Sequence, residues 1–230
     1  MLNRLRIVTQ RLRGLWFYAP ATCVLALICV VVFAAQCVLS GVEFQIGHPF
    51  AEPFTYLFGL HLPLLVEGFF WQPLTYAFLH GSPLHLALNM VGLVLFGAAL
   101  ESQLRTHRFL VLFFASAILG GIVWALGDGL FWYFKDMPCG TCIGASGGVY
   151  GLIGAYTALY ANRKLLVLIY FIPLRLRGKT LALVILLITA VDAWLGFTHT
   201  AYAAHFVGLV TGWILGRRLR REGFGEGRAV

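Results

Sequence analysis

Four polar side chains on three separate apolar segments are the residues of this sequence that could carry out chemistry. Ser146 stands in a Gly-Ala-Ser-Gly run within the glycine-rich stretch Cys139 to Tyr160. His85 and Asn89 lie four residues apart on an earlier segment, and His205 lies on a later one. A hydroxyl in a membrane-length segment is costly unless it is used. A serine, an imidazole base and donors for an oxyanion together indicate serine-based acyl transfer.

The composition indicates that these residues belong to a polytopic membrane protein. Of the 230 residues, 60% are hydrophobic and only 11% are charged, whereas a soluble domain is usually about 25% charged. A net charge of +8 would indicate nucleic acid or another anionic partner in a soluble protein. Here, however, no Lys or Arg lies between Arg13 and Arg105, and the other basic residues form short clusters between apolar runs. We therefore expect the lipid bilayer as a partner, and no nucleic acid.

Six apolar runs predict an all-α bundle of six transmembrane helices. The first run follows a basic segment, but it is too long for a signal peptide and lacks a convincing cleavage site. The connection from Ser40 to Pro83 is too apolar for a solvated loop and too rich in proline for a spanning helix, which predicts a partly helical segment in the outer leaflet. Residues 165–172 are too short to cross and are expected at the surface. The predicted spans are residues 21–39, 84–100, 109–126, 143–161, 180–195 and 201–215.

The basic clusters predict how this bundle is oriented. All of the 17 Lys and Arg residues except Lys135 fall on the side of the two termini. The positive-inside rule then places both termini in the cytoplasm and the start of the fourth span on the outer side. The expected organisation is a cytoplasmic segment at 1–19, a membrane domain at 20–216 and a solvated basic tail at 217–230. We expect a multi-pass protein of a bacterial inner membrane.

Two stripes of small residues predict which spans pack closely. Residues four apart share a helix face, and small residues on that face let helices approach each other in lipid. The stripe on the fourth span comprises Gly147, Gly151 and Ala155, and that on the sixth comprises His205, Gly208 and Gly212. Packed against each other, these stripes would bring Ser146 towards His205. No carboxylate stands at helical spacing from His205, so the expected arrangement is a dyad and not a triad.

Three motifs in chain order resemble the rhomboid family of intramembrane serine proteases, in its bacterial form with six spans. The sequence has HLALN, GASGGVYG and AHFVGLVTG, where the family has H-x-x-x-N, G-x-S-G and A-H-x-x-G-x-x-x-G. The resemblance implies Ser146 as the nucleophile and His205 as the base. It implies His85, Asn89 and the Ser146 amide as the oxyanion hole, and Tyr150 as an aromatic ring stacked on His205.

The resemblance also defines supporting residues and one departure. Glycines expected to support the site are Gly144, Gly147, Gly208 and Gly212. The family carries a Trp-Arg pair in its first external connection, where this sequence has Trp71-Gln72. The family arginine belongs to the structure of that connection and not to the chemistry. We therefore expect the departure to alter details of the connection and to have little effect on activity.

The leading hypothesis is a serine endopeptidase that cleaves transmembrane protein substrates near the outer ends of their spans, without cofactor or metal. Cys139 and Cys142 form a lone C-x-x-C with no second pair or nearby His, which argues against a zinc site and leaves a local disulfide open. The alternative is a non-catalytic rhomboid-like protein that binds transmembrane clients, although such proteins usually lack the serine or the histidine. Taken alone, Ser146 would be a small residue at a helix start, and His205 a packed histidine. The substrate and the oligomeric state stay open.

Overall fold

The computed structural model describes residues 14–46, 53–135, 139–169, 172–194 and 201–225. This part of the chain is mostly helical. The helices in chain order are α1 (Pro20–Ile46), α2 (Pro53–Phe58), α3 (Leu62–Val66), α4 (Gln72–Thr75), α5 (Pro83–Gly92), α6 (Ala98–Leu104), α7 (Thr106–Lys135), α8 (Ser146–Leu159), α9 (Gly178–Trp194) and α10 (Tyr202–Arg221). A 3-10 turn, Tyr76–Phe78, follows α4, and a π-helical turn, Leu93–Gly97, joins α5 to α6.

Three stretches of the described residues are long and apolar enough to cross a membrane. They are Pro20–Leu39, Pro83–Leu104 and Thr106–Leu130, and they confirm that the first three predicted spans are helices of membrane length. The first of these helices continues to Ile46, beyond its predicted end. The apolar part of α9, Gly178–Val191, is shorter, and α10 ends in a basic turn. Crossing by the last three predicted spans stays a prediction.

The central helix of the bundle, α8, is short because other helices enclose it. All of its 14 residues except Ser146 and Tyr150 are buried, as expected for a helix that is apolar all round. Its length of about 21 Å is less than the 30 Å of a hydrocarbon core. Since α8 faces protein, it does not need the length of a span that faces lipid. The helix lies within the predicted span 143–161, and residues 143–145 precede it.

The described residues are mostly helical, in agreement with the predicted class, and the segment between α8 and α9 adds one β-hairpin that the sequence analysis did not predict. Strands β1 (Lys164–Ile169) and β2 (Ile172–Arg177) pair antiparallel from Lys164 opposite Arg177 to Ile169 opposite Ile172. The sequence contained a signal for this, because leucine and arginine alternate along β2 with the period of a strand. The described side chains of β2 are exposed or half-buried, in agreement with the expected surface position.

The connection between α1 and α5 is partly helical, as predicted, and side-chain hydrogen bonds fasten it. The Trp71 indole N–H donates to the Leu57 carbonyl at 3.0 Å. The Gln72 amide donates to the Tyr56 carbonyl at 3.2 Å and accepts from the His61 N–H at 3.1 Å. Gln72 is fully buried. The glutamine that stands in place of the family arginine therefore ties α2 to α4 and to the start of α3.

Glu101, which directly follows the predicted second span, joins three helices. Its carboxylate is 2% exposed and accepts from the backbone N–H groups of Ala21 and Thr22 at 3.0 and 2.8 Å. It also accepts from the hydroxyls of Thr22 and Thr106 at 2.9 and 2.8 Å. A negative group at a helix N-terminus satisfies unpaired amides and the helix dipole. Glu101 therefore fixes the starts of α1 and α7 to α6.

The predicted C-terminal tail begins as helix. α10 continues through Arg221, six residues beyond the predicted end of the sixth span. After it, the Phe224 ring lies 4.6 Å from the Arg108 guanidinium carbon. The first residues of the expected solvated tail therefore pack against α7, and residues 226–230 lie outside the described part.

Candidate active site

The close approach of α8 and α10 sets the position of the site. The two helices approach most closely where small residues face each other, and a Cβ added to the glycine of α10 in each pair would collide with α8. The three facing pairs are Gly147 with Gly208, Gly151 with Gly212, and Ala155 with Gly216. In the first two pairs, a Cβ on α10 would collide with the carbonyl oxygen of α8, and in the third it would lie 2.8 Å from the facing Cα. The two stripes seen in the sequence thus pack directly against each other, and Gly216 extends the second by one turn.

This packing brings the serine and the imidazole into contact. The His205 Nε2 lies 2.7 Å from the Ser146 Oγ, a hydrogen-bonding distance. Ser146 is the first residue of α8, and His205 lies in the first turn of α10. Both side chains are half-buried. A hydroxyl and an imidazole joined in this way can exchange a proton.

An aromatic ring fixes the plane of this imidazole. The Tyr150 ring, one turn after Ser146, stacks on the His205 ring with 4.3 Å between centroids and 9° between planes. The Tyr150 hydroxyl also lies 3.4 Å from the Thr189 Oγ1 on α9. The imidazole is therefore held on one face by α8, and the ring that holds it reaches α9.

Backbone hydrogen bonds from the connection hold the loop that precedes Ser146. Leu60 and Cys142 exchange two N–H to carbonyl bonds of 2.9 Å, and the Gly144 N–H donates to the Tyr76 carbonyl at 2.9 Å. The buried Tyr76 is itself anchored, because its hydroxyl donates to the Ala117 carbonyl at 2.6 Å. Sequence reasoning missed Leu60 and Tyr76, since a bond between backbone groups has no signature in residue type.

His85 faces this loop at Gly144. The Ser82 hydroxyl caps α5 by accepting from the His85 N–H at 3.1 Å, and the Gly81 N–H donates to the His85 Nδ1 at 3.4 Å. In a neutral imidazole whose Nδ1 accepts, the Nε2 carries the hydrogen. A Cβ added to Gly144 would lie 2.8 Å from that Nε2, and Gly144 has a φ of 125°. Glycine is required here both by the backbone conformation and by the closeness of the His85 ring.

Asn89 lies one turn beyond His85 and is buried. Its Nδ2 donates to the His85 carbonyl at 3.0 Å, which uses one of the two amide hydrogens. Within the part of the chain that the structure describes, no hydrogen bond joins Asn89 to Ser146. The structure thus brings together Ser146, His205, Tyr150, and the pair His85 and Gly144, and it leaves Asn89 bonded within its own helix.

A second histidine packs behind His85. The His80 ring is 2% exposed and meets the His85 ring nearly edge-on, with 5.2 Å between centroids. Neither His80 ring nitrogen has a hydrogen-bond partner among the described residues. Its backbone N–H donates to the Gln36 Oε1 of α1 at 3.0 Å. His80 therefore backs the His85 ring by packing, and α1 is connected to this side of the site through Gln36.

The described residues contain no group of three or more His, Cys, Asp or Glu side chains arranged to hold a metal ion. Cys139 and Cys142 are both free thiols, so the local disulfide left open by the sequence is not formed. The loop that carries them is held instead by Asp128, whose Oδ2 accepts from the Gly140 N–H at 2.9 Å.

Comparison with known proteins shows the family to which the chain is similar. A model of the Rhomboid domain matches residues 67–222, more than half of the chain. The chain is 29% identical over 154 residues to Rhomboid protein 1, mitochondrial, of Saccharomyces cerevisiae, which covers 64% of this chain and 42% of that protein. It is 30% identical over 129 residues to Rhomboid-like protease 3 of Toxoplasma gondii, covering 56% and 44%. It is 30% identical over 153 residues to Rhomboid protease GluP of Bacillus subtilis, covering 65% and 26%.

The helices of membrane length and the half-buried pair of serine and imidazole define an integral membrane protein with a polar site between its helices. With the domain match, the chain belongs to the rhomboid family. It spans less than half the length of each of the three relatives named above. The catalytic roles of Ser146, His205, His85, Asn89 and Tyr150 stay predictions.

Proposed function

We propose that this protein is an intramembrane serine endopeptidase that cleaves transmembrane segments of membrane proteins near their outer ends. The observation that carries this proposal is the 2.7 Å contact between the His205 Nε2 and the Ser146 Oγ. The parallel Tyr150 ring, which keeps the imidazole aimed at the hydroxyl, supports it further. Two relatives that match the chain are named as proteases, which agrees with this activity.

In the acylation step, His205 removes the hydroxyl proton as the Ser146 Oγ attacks the scissile carbonyl carbon. A tetrahedral intermediate forms, and its oxygen carries the negative charge. The imidazolium of His205 then donates its proton to the leaving amide nitrogen, and the carbon–nitrogen bond breaks. The products of this step are an acyl ester on Ser146 and a free amine. No buried carboxylate is needed, because the stacked Tyr150 already fixes the imidazole.

The oxyanion is stabilised by donors that the folded chain orients in advance. The first amides of α8 have no intrahelical partner and lie at the positive end of the helix dipole, which favours the Ser146 N–H as one donor. The His85 Nε2–H, which lies against Gly144, is the second. Asn89 contributes its other amide hydrogen after a rotation of the side chain. The Ser146 N–H and the His85 Nε2–H are already oriented, so they act on the charge of the transition state without reorganisation, whereas the Asn89 side chain must first rotate.

Deacylation needs water at Ser146. Ser146 is the first residue of α8, and both Ser146 and His205 are half-exposed, so water can reach the site from the N-terminal end of α8. Water that arrives from that end gives a proton to His205 and attacks the ester carbon, and Ser146 takes the proton back as the acid product leaves.

The substrate helix would approach beside α9. On α9, the side chains of Leu183, Leu187 and Trp194 are exposed by 57, 56 and 85%. This face of α9 therefore faces lipid. A scissile peptide must leave the hydrogen bonds of its own helix before it can reach Ser146. We therefore expect a preference for substrates with small or helix-breaking residues near the outer end of the span.

The proposal is tested with a single-span model substrate cleaved by the purified protein in detergent. Ser146→Ala and His205→Ala are each expected to lower the turnover by a factor on the order of 10³ or more. Ser102→Ala and His107→Ala, at exposed positions on the opposite side of the bundle, are the matched controls and should keep full turnover. A fluorophosphonate probe should label the protein at Ser146 and nowhere else.

Equal cleavage by all five proteins would refute the assignment. Substrate binding with neither cleavage nor labelling would instead support the non-catalytic, client-binding alternative. Six spans with both termini in the cytoplasm remain part of the proposal. If that topology holds, enzymatic reporters fused after Arg105 and Arg177 should report the cytoplasmic side. A reporter fused after Lys135 should report the outer side. Fractionation of bacterial cells tests the inner-membrane location.

A further inference from the structure

A second feature of the fold lies at the opposite end of α8 from Ser146. A cavity of about 370 Å³ opens where the last turns of α8 and α10 meet the first turns of α9. This volume is within the range of roughly 300–1,000 Å³ that is usual for ligand sites. Three cationic side chains line it, Lys179, Arg217 and Arg220. All three are exposed, so they mark the mouth of the cavity. The apolar part of the lining, its wall, comprises Ala158, Ala182, Leu186, Leu209 and Trp213.

Among the residues that the structure describes, no carboxylate pairs with the positive charges at this mouth. The ion pairs in the described part of the chain join Arg108 and Arg218 to Glu222, and none includes a cation of the cavity. Other contacts hold two of these cations at the mouth. The Arg220 Nη1 donates to the Ala158 carbonyl at 3.2 Å, and the Arg217 guanidinium lies 5.3 Å from the Trp213 ring centroid. Three like charges held close together favour an anion between them.

The apolar wall continues well beyond the charges. Leu209 lies eight residues before Arg217 on α10, which corresponds to about 12 Å along the helix. Leu186 of α9 lines the cavity on the facing side. The cavity therefore offers a cationic mouth at the end of the bundle where the basic clusters lie, and an apolar wall at the depth of the hydrocarbon.

We propose that this cavity binds an anionic phospholipid from the leaflet at the basic end of the bundle. Its phosphate lies between Lys179, Arg217 and Arg220, and part of one acyl chain lies along Leu186 and Leu209. Basic pockets between helices on the cytoplasmic side attract anionic headgroups in this way. An acidic peptide would match the three cations but not the apolar wall, which is why the lipid is favoured. The proposal needs the protein to be in a membrane, but it does not depend on proteolysis.

The test is native mass spectrometry of the full chain in detergent, titrated with phosphatidylglycerol or with phosphatidylcholine of the same acyl composition. We expect the first bound phosphatidylglycerol to be held more tightly than phosphatidylcholine. The triple variant Lys179→Gln/Arg217→Gln/Arg220→Gln should weaken phosphatidylglycerol binding on the order of a hundredfold, from about 1 kcal/mol for each cation. A matched triple variant, Arg175→Gln/Arg177→Gln/Arg221→Gln, removes the same charge outside the cavity and should bind as the wild type does.

Two further variants complete the test. Ala182→Leu fills the apolar wall and should weaken binding of both lipids while the cations remain. Lys179→Gln alone, at an exposed position, should weaken phosphatidylglycerol binding about fivefold and covers the case in which the triple variant does not fold. Thermal unfolding of each variant shows whether it is folded.

Equal binding of the two lipids would overturn the proposal, and so would equal loss in the two triple variants. Displacement of phosphatidylglycerol by an acidic peptide, with no effect of Ala182→Leu, would replace the lipid by a peptide partner. Water-soluble glycerol phosphate should not compete, because it lacks the acyl chain. Ser146→Ala is expected to bind phosphatidylglycerol like the wild type, so failure of the protease proposal would leave this result unchanged.

Discussion

The interface of α8 with α10 and the surroundings of α9 are packed in opposite ways. Between α8 and α10 the backbones themselves touch, at Gly147 with Gly208 and at Gly151 with Gly212. By contrast, α9 contacts α8 sparsely and α10 more sparsely still. The tight interface holds the serine and the imidazole at 2.7 Å. The loose one borders the side from which a substrate helix would approach.

The difference follows from what drives helix association in lipid. Apolar side chains gain little by leaving lipid for another apolar surface, so close backbone approach supplies the attraction. Within α9, Gly178 is the only glycine, and it stands at the very start of the helix. The leucine-rich face of α9 is accommodated by lipid about as well as by protein. Glycine placement therefore explains why the backbones touch at one interface and not at the other.

Breaking the tight interface should have the largest effect on stability. Gly212→Ala places a methyl group on the Gly151 carbonyl, and because the obstacle is backbone, the helices must move apart. We expect a loss of about 3 kcal/mol of unfolding free energy and a large fall in activity, measured by denaturation in mixed micelles and by substrate cleavage.

The matched control for this change is Gly127→Ala, because a Cβ at Gly127 meets nothing within 4 Å. Alanine is the better helix former by about 1 kcal/mol, so this variant should be unchanged or slightly more stable. Equal destabilisation by both substitutions would show that the two glycines do not differ in the way described.

A pair of leucines compares the two regions directly. Leu152 of α8 is fully buried, and Leu187 of α9 is 56% exposed. Leu152→Ala should lower the unfolding free energy by roughly 2 kcal/mol. The loss comes chiefly from the cavity, because the side chain is in an apolar medium in the unfolded state as well. Leu187→Ala should change the unfolding free energy by less than about 0.5 kcal/mol. Similar losses in the two variants would contradict the difference in packing.

Gly144→Ala tests the loop that precedes Ser146. The φ of 125° at Gly144 and the His85 ring 2.8 Å from the added Cβ both oppose a side chain there. The strain should cost about 1–2 kcal/mol, and displacement of His85 should lower kcat far more than it raises KM, because an oxyanion donor acts in the transition state. A change in KM alone would argue against His85 as a donor.

The weakest link between the two regions should give the smallest effect. Thr189→Val removes the 3.4 Å contact between α9 and the Tyr150 hydroxyl and keeps the side-chain shape. We expect turnover to change by less than about threefold. Tyr150→Phe removes the same contact from the other helix, so the loss in the double variant should be smaller than the sum of the two single losses. Additive losses would mean that the two hydroxyls act separately.

The elements that helical periodicity governs could be predicted from the sequence. The first three spans are confirmed as helices of membrane length, and the glycine stripes follow from a four-residue spacing that needs no knowledge of other segments. The short α8 could not be predicted, because its length depends on being enclosed by protein. The same holds for the bridge between Leu60 and Cys142 and for the contact of Gly144 with Tyr76, which join backbone atoms of distant segments.

The β-hairpin between α8 and α9 is a different kind of miss. The alternation of leucine and arginine in β2 was visible, but the apolar run of β1 reads equally well as a short buried segment. Only the pairing of the two runs resolves that ambiguity. The sequence interpretation also gave too little weight to polar residues inside apolar segments. Gln36 and Glu101 are two of these, and each accepts a hydrogen bond from another segment.

The carboxylate of Glu101 lies 80 residues after the amide of Ala21 that it accepts from. During synthesis, the first helix therefore leaves the ribosome and enters the bilayer well before its capping group exists. Until residue 101 emerges, the leading amides of α1 must be satisfied by water or by lipid headgroups at the membrane surface. The first amides of α1 thus receive their capping carboxylate only when the second membrane-length helix has been inserted beside it.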